Sequence, residues 1–185
     1  MIQKIQKILL PEGTFSTTVS FFLPADDVAL RKIYKDWRNL CDQLKLLDAR
    51  AINLPEGLSE GAFCRAMGTA RITKSIYKAN TSFDAYDLKT QKRIQIKACS
   101  VLRDLTSFGP KSVWDELYFV DFYRQGKWDG TIDIYLIPNK LIYNQNVNAS
   151  STMQQQQLQS RRPRFSIYSE IIVPNKLKPV MTYKI

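Results

Sequence analysis

The segment Arg93-Ile94-Gln95-Ile96-Lys97-Ala98 alternates between polar and apolar side chains, and a period of two belongs to an extended strand whose faces meet different surroundings. Ile94, Ile96 and Ala98 share one face, apolar enough to bury beneath a helix. Gln95 and Lys97 share the other, so the strand presents a polar pair on a rigid support. A chain built around such a strand needs helices to cover the first face and further strands to hold the second in place.

Both are legible. Residues 76–86 and 93–101 read as two strands joined by the polar turn Leu88-Lys89-Thr90-Gln91, a hairpin in which Asp84 faces Gln95. Strand patterns recur at residues 14–23, 117–123 and 131–137, the last two separated by the turn-prone 125–130. Pro24 followed by Asp26 and Asp27 marks a helix start. Leu30, Ile33, Tyr34, Trp37, Leu40, Cys41, Leu44 and Leu47 then repeat at helical spacing, predicting a long scaffold helix. After the turn-like 53–58, Ser59 is read as the N-cap of a second helix with Glu60 in its first turn. The fold class expected is α/β, a mixed central β-sheet flanked by α-helices. Residues 1–185 are expected to form one domain. Residues 144–160, rich in Asn, Ser and Gln, read as a polar insertion, unstructured or a polar helix.

The polar face of the hairpin carries chemistry. Mg²⁺ prefers oxygen ligands and is held by one or two carboxylates together with water. Asp84 is the primary candidate ligand, Gln95 can add its side-chain oxygen and Ile96 its backbone carbonyl, and Glu60 can bind directly or through water. Lys97 can orient or deprotonate an attacking water and offset charge on a phosphorane. Taken singly, Asp84 and Lys97 are equally the residues of a solvated surface ion pair. The chain has no His, which removes the usual neutral-pH base and the usual zinc ligand and leaves a metal-and-carboxylate mechanism.

Charge points to the substrate. Lys and Arg number 27 against 17 Asp and Glu, a formal +10 that favours a polyanionic partner. Arg161, Arg162 and Arg164 are the densest basic cluster; arginine forks can pair with guanine O6 and N7 or neutralise phosphates. Ser107 and Lys111, in the loop after the catalytic strand, are further candidates for phosphate contact. Trp114, Tyr118, Phe119, Phe122 and Tyr123 are read as core rather than as a stacking platform. Cys41, Cys64 and Cys99 lack CxxC spacing and read as reduced thiols of a cytoplasmic protein. The apolar start is broken by Lys4 and Lys7, so neither a signal peptide nor a membrane span is expected.

Asp84, the hairpin and Gln95-Ile96-Lys97 together resemble the PD-(D/E)xK nuclease signature, and residues 53–60 resemble the helix start that brings an acid to many restriction enzymes. The segments 104–110, 114–119 and 162–166 are similar to small type II restriction endonucleases that cut an interrupted GC-rich palindrome, GC-N-GC; the similarity spans roughly residues 30–172. The resemblance implies a restriction-endonuclease-like core, metal binding at Asp84 with Glu60 and Gln95, a catalytic Lys97, and DNA reading by residues 162–166, Ser166 included. It implies Mg²⁺-dependent cleavage of double-stranded DNA to 5′-phosphate ends by a homodimer, with a methyltransferase as companion and no other cofactor. Two departures stand out: Gln95 replaces the signature's acid, and Phe83 its proline. The alternatives are a structure-specific or repair nuclease of the same fold, and a non-catalytic DNA-binding protein.

Overall fold

In the computed structural model, which describes residues 1–101 and 103–185, the chain forms an eight-stranded mixed sheet with helices against it. The strands of this sheet are β1 (Ile2–Leu10), β2 (Gly13–Phe21), β3 (Ala70–Arg71), β4 (Ala85–Asp87), β5 (Lys92–Cys99), β7 (Glu116–Asp121), β8 (Thr131–Ile137) and β12 (Met181–Lys184), in the order β1-β2-β3-β4-β5-β7-β8-β12. β5 and β7 run parallel; the other pairs are antiparallel. Two small ribbons lie outside it, β6 (Thr106–Ser107) with β11 (Arg164–Phe165) and β9 (Asn146–Asn148) with β10 (Ser151–Thr152).

Helices α1 (Asp27–Leu46) and α2 (Glu56–Met67) cover one face of the sheet. Leu30, Tyr34, Trp37 and Cys41 of α1 and Leu58, Ala62 and Phe63 of α2 pack with Ile94, Ile96, Val120 and Ile134, so the apolar side of the alternating strand is buried as its period requires. The opposite face carries Leu117, Phe119, Tyr135 and Ile137 beneath Phe108, Trp114, Phe165 and Ile167. Beside these lie α3 (Asn139–Tyr143), α4 (Met153–Leu158) and a π-helical turn at Tyr168–Ile172. A third cluster lies under the β1–β2 hairpin, around Ile8, Val19, Phe83 and Tyr86.

Several expectations need correction. The apolar stripe of α1 is narrower than its periodicity suggests, because Ile33, Leu40 and Leu47 are exposed and only the other edge meets the sheet. α2 begins at Glu56 after Pro55, so Ser59 is an interior residue whose hydroxyl donates to the Glu56 carbonyl at 3.1 Å, and Glu60 lies in the second turn. The strand expected over residues 76–86 shrinks to Ala85–Asp87, the preceding segment being an irregular loop. β1 was not expected at all. The Gln-rich segment forms β9, β10 and α4, where Thr152 and Gln155 make a reciprocal capping box and Met153 is fully buried.

Phe63 is the best gauge of this packing, fully buried with its ring 5.0 Å from that of Tyr118. Phe63→Ala is expected to lower unfolding stability by about 3–5 kcal/mol in urea titrations, with an unchanged slope.

Candidate active site

β4 runs beside β5 only as far as Ile94, which pairs with Ala85. Just before β4, the Asp84 backbone N–H donates to the Ile94 carbonyl at 2.9 Å, fixing Asp84 at the point where the two strands part. Beyond it β5 has no strand neighbour on that side, and the Asp84 carboxylate fills the gap: Oδ2 accepts from the Ile96 backbone N–H at 2.7 Å and from Gln95 Nε2. Ile96, two residues beyond Ile94, turns its carbonyl to the same open edge. Asp84, Gln95 and Ile96 are thus gathered as the alternation implied.

Glu60 reaches the site from α2. It is buried, and Arg71 of β3 donates Nε to its Oε2 at 2.6 Å. Burial pushes the Glu60 carboxyl up to about 8; the Asp84 charge pushes the same way and Arg71 only partly opposes it. Burial likewise raises Asp84 to about 6, against the pull of the Ile96 N–H and Lys97. Desolvation is the largest cause for both carboxyls, so a cation entering the site would favour their ionised forms. Burial lowers Lys97, whereas Asp84 and Glu60 oppose the shift and Arg162 adds to it. The Lys97 ammonium lies 5.4 Å from the centre of the Phe108 ring.

The oxygens near this edge, two carboxylates, an amide oxygen and a backbone carbonyl, are of the hard kind that would suit Mg²⁺. Gln95 turns its amide nitrogen toward Asp84, and a half-turn of the amide presents the oxygen instead. Among the described residues no three Asp, Glu, His or Cys side chains form a metal cage, so water must complete any coordination shell.

The residues expected to meet DNA fall into two groups. Arg161, Arg162 and Arg164 are exposed and make no ion pair among the described residues. Arg164 pairs with Ser107 across the β6–β11 ribbon, and the Phe108 N–H donates to the Pro163 carbonyl at 3.1 Å. Ser107 Oγ is buried without a partner among the described residues, and the Lys111 side chain is exposed. Ser166 departs from expectation: its hydroxyl turns inward and donates to Asp104 at 2.6 Å. Asp104 also accepts from Thr106 Oγ1 at 2.8 Å and the backbone N–H groups of Ile167 and Tyr168. Ser166 thus anchors the segment that follows the arginines.

Sequence reasoning missed Arg71, Asp104, Phe108 and Glu56. Glu56, one helical turn before Glu60 on the same face of α2, lies 4.0 Å from the Arg71 guanidinium, and its charge acts on Asp84 and Lys97. Starting α2 at Glu56 would have exposed this pair at positions i and i+4.

The family model for Bsp6I restriction endonuclease matches residues 25–174. The type II restriction enzyme Bsp6I of Bacillus sp. (strain RFL6) is 38% identical over 152 residues, covering 80% of this chain and 82% of that protein. No solved structure gives a significant match.

The raised carboxyls predict a pH dependence. The metal-free folded state binds more protons than the unfolded chain between the ordinary carboxyl range and about 8, so their stabilising effect is complete below pH 4.5 and lost as pH rises through about 8. Thermal melts without metal should show stability falling over pH 5–8, with a visibly shallower fall for Glu60→Gln; equal slopes would contradict the burial of an ionisable Glu60.

Proposed function

Because the chain belongs to the Bsp6I restriction endonuclease family, whose activity is site-specific cleavage of DNA, we propose that Asp84, Gln95, Lys97 and Glu60 form its active site and hydrolyse the DNA backbone with Mg²⁺. The observation that carries this reading is the convergence of Asp84 on Gln95 and Ile96 at the open edge of β5, with Lys97 one residue further on. Asp84 and Glu60 hold Mg²⁺, with Gln95 and the Ile96 carbonyl assisting. When bound, Mg²⁺ supplies Lewis-acid polarisation of the scissile phosphate. Lys97 orients the attacking water for in-line displacement, and its lowered pKa eases proton exchange with that water. The Lys97 charge then offsets the charge growing on the phosphorane. The products are a 5′-phosphate and a 3′-hydroxyl.

Arg161, Arg162 and Arg164 read a short GC-rich palindrome such as GC-N-GC, supported by their exposure and freedom from ion pairs among the described residues. Ser107 and Lys111 contact phosphate. Recognition and chemistry share one domain spanning residues 1–185, a reading supported by the β6–β11 ribbon between the arginines and the catalytic strand. A palindrome read by so small a chain calls for a homodimer, each copy cutting one strand. Three buried, unpaired cysteines support a cytoplasmic protein, and among the described residues no helix is long and apolar enough to cross a membrane.

Digestion of unmethylated plasmid with Mg²⁺, followed by sequencing of the ends, is expected to give discrete fragments with one common site. Ragged or structure-directed ends would move the protein to a repair or junction nuclease. Lys97→Ala should lower the cleavage rate by at least about 100-fold while binding persists. Glutamine supplies an oxygen without a charge, so Gln95→Glu should retain activity and Gln95→Ala lose most of it; equal rates for the two would remove Gln95 from the site.

A further inference from the structure

A groove of about 920 Å³ opens beside Lys97 and runs along the C-terminal half of α1. Its walls are pinned. On one side the Trp37 indole N–H and Cys41 Sγ both reach the Ile52 carbonyl, at 3.1 and 3.5 Å, holding the segment after α1. On the other, the Trp128 indole N–H donates to the Ser100 carbonyl at 2.8 Å, and the Arg38 guanidinium lies over the Trp128 ring, 4.0 Å from its centre.

The charge facing the groove is net positive, Arg38, Lys45, Arg50 and Lys97 against Asp42 and Asp104. Its two acids are already occupied, Asp42 by Arg38 at 2.7 Å and Asp104 by its four inward donors. Lys45, Arg50 and Lys97 line the groove and have no ion-pair partner among the described residues. Ser107 Oγ, buried and unpartnered among those residues, belongs to the same lining. Lys97 of the site above belongs to the lining, so a strand whose phosphate reaches Lys97 has this channel beside it.

We propose that the groove seats the sugar–phosphate backbone of the cleaved strand beside the scissile phosphate, with Lys45 and Arg50 contacting successive phosphates. The inference rests on the nuclease reading. It assigns these two residues a role distinct from that of the arginine cluster: phosphate contacts strengthen binding to any sequence and carry no base information.

Anisotropy titrations of a cognate and a scrambled duplex, without Mg²⁺ and over a range of salt, test it. Lys45→Ala combined with Arg50→Ala should weaken both duplexes by the same factor. The slope of log affinity against log salt should become shallower by about 1.8, from about 0.9 per lost phosphate contact. The plasmid cleavage position should not change. Lys4→Ala combined with Lys7→Ala, on exposed positions of β1, should leave the slope as in the parent. A parent-like slope in the groove variant, or an equal change in the β1 control, would overturn the groove while leaving the nuclease intact. A parent that neither binds duplex nor cleaves it with Mg²⁺ would overturn both readings.

Discussion

The bond from the Ile96 backbone N–H to the Asp84 carboxylate resolves a conflict at the centre of the sheet. Backbone donors in a buried strand must be paired, yet an active site needs a stretch of strand whose edge is open. β4 parts from β5 after Ile94, and Asp84 supplies the missing acceptor from a side chain. The same atoms that stabilise the edge thereby fix the carboxylate beside Gln95 and the Ile96 carbonyl. Because Ile94 and Ile96 are clamped by α1 and α2, and β7 continues the sheet on the other side, the polar face of β5 has little freedom to drift.

Electrostatics then accounts for the unusual glutamine. Burial makes both Glu60 and Asp84 harder to ionise, and the Asp84 charge adds to the effect on Glu60 as that of Glu56 does on Asp84, although Arg71 and Lys97 lie alongside. A third carboxylate at position 95 would add repulsion at a residue that is only 4% exposed, where water screens little. Glutamine keeps an oxygen donor without that cost, and its amide hydrogen satisfies Asp84 in the metal-free protein. Glu56, exposed at the start of α2, can still lend negative charge from the rim without being desolvated.

How much of this the sequence discloses follows from the range of each interaction. The β5 alternation is a local pattern, and it placed Gln95, Lys97 and their apolar counterparts on the correct faces; β8 and the body of α1 were legible for the same reason. The start of α2 was misplaced because Ser59 has the chemistry of a cap, whereas Pro55 at the cap position offers no side-chain hydrogen bond. β1 escaped notice because its pairing partner β2, not its own composition, makes it a strand. Ser166 and Asp104, 62 residues apart, could not be joined by any short-range pattern. Exposure of Ile33 and Leu40 shows the converse error, since helical spacing identifies an apolar stripe but not how much of it a neighbour covers.

Those long-range contacts tie recognition to chemistry. Phe108 touches both sides: its ring lies beneath the Lys97 ammonium and stacks on Phe165, 5.4 Å between centres, next to Arg164. Asp104, in the loop before β6, binds β6 through Thr106 and the segment after β11 through Ser166, Ile167 and Tyr168. Gln157 Nε2 donates to the Gly109 carbonyl at 2.9 Å, adding the Gln-rich segment to the loop after β6. Under the proposed reading, a displacement of Arg164 by bound DNA would pass through a packed aromatic pair and a buried carboxylate to the residues around Lys97. Interiors packed at crystal density transmit such shifts rather than absorb them. In the proposed nuclease, that would make the position of Lys97 sensitive to what Arg164 contacts, a coupling that keeps binding at a wrong site from ending in cleavage.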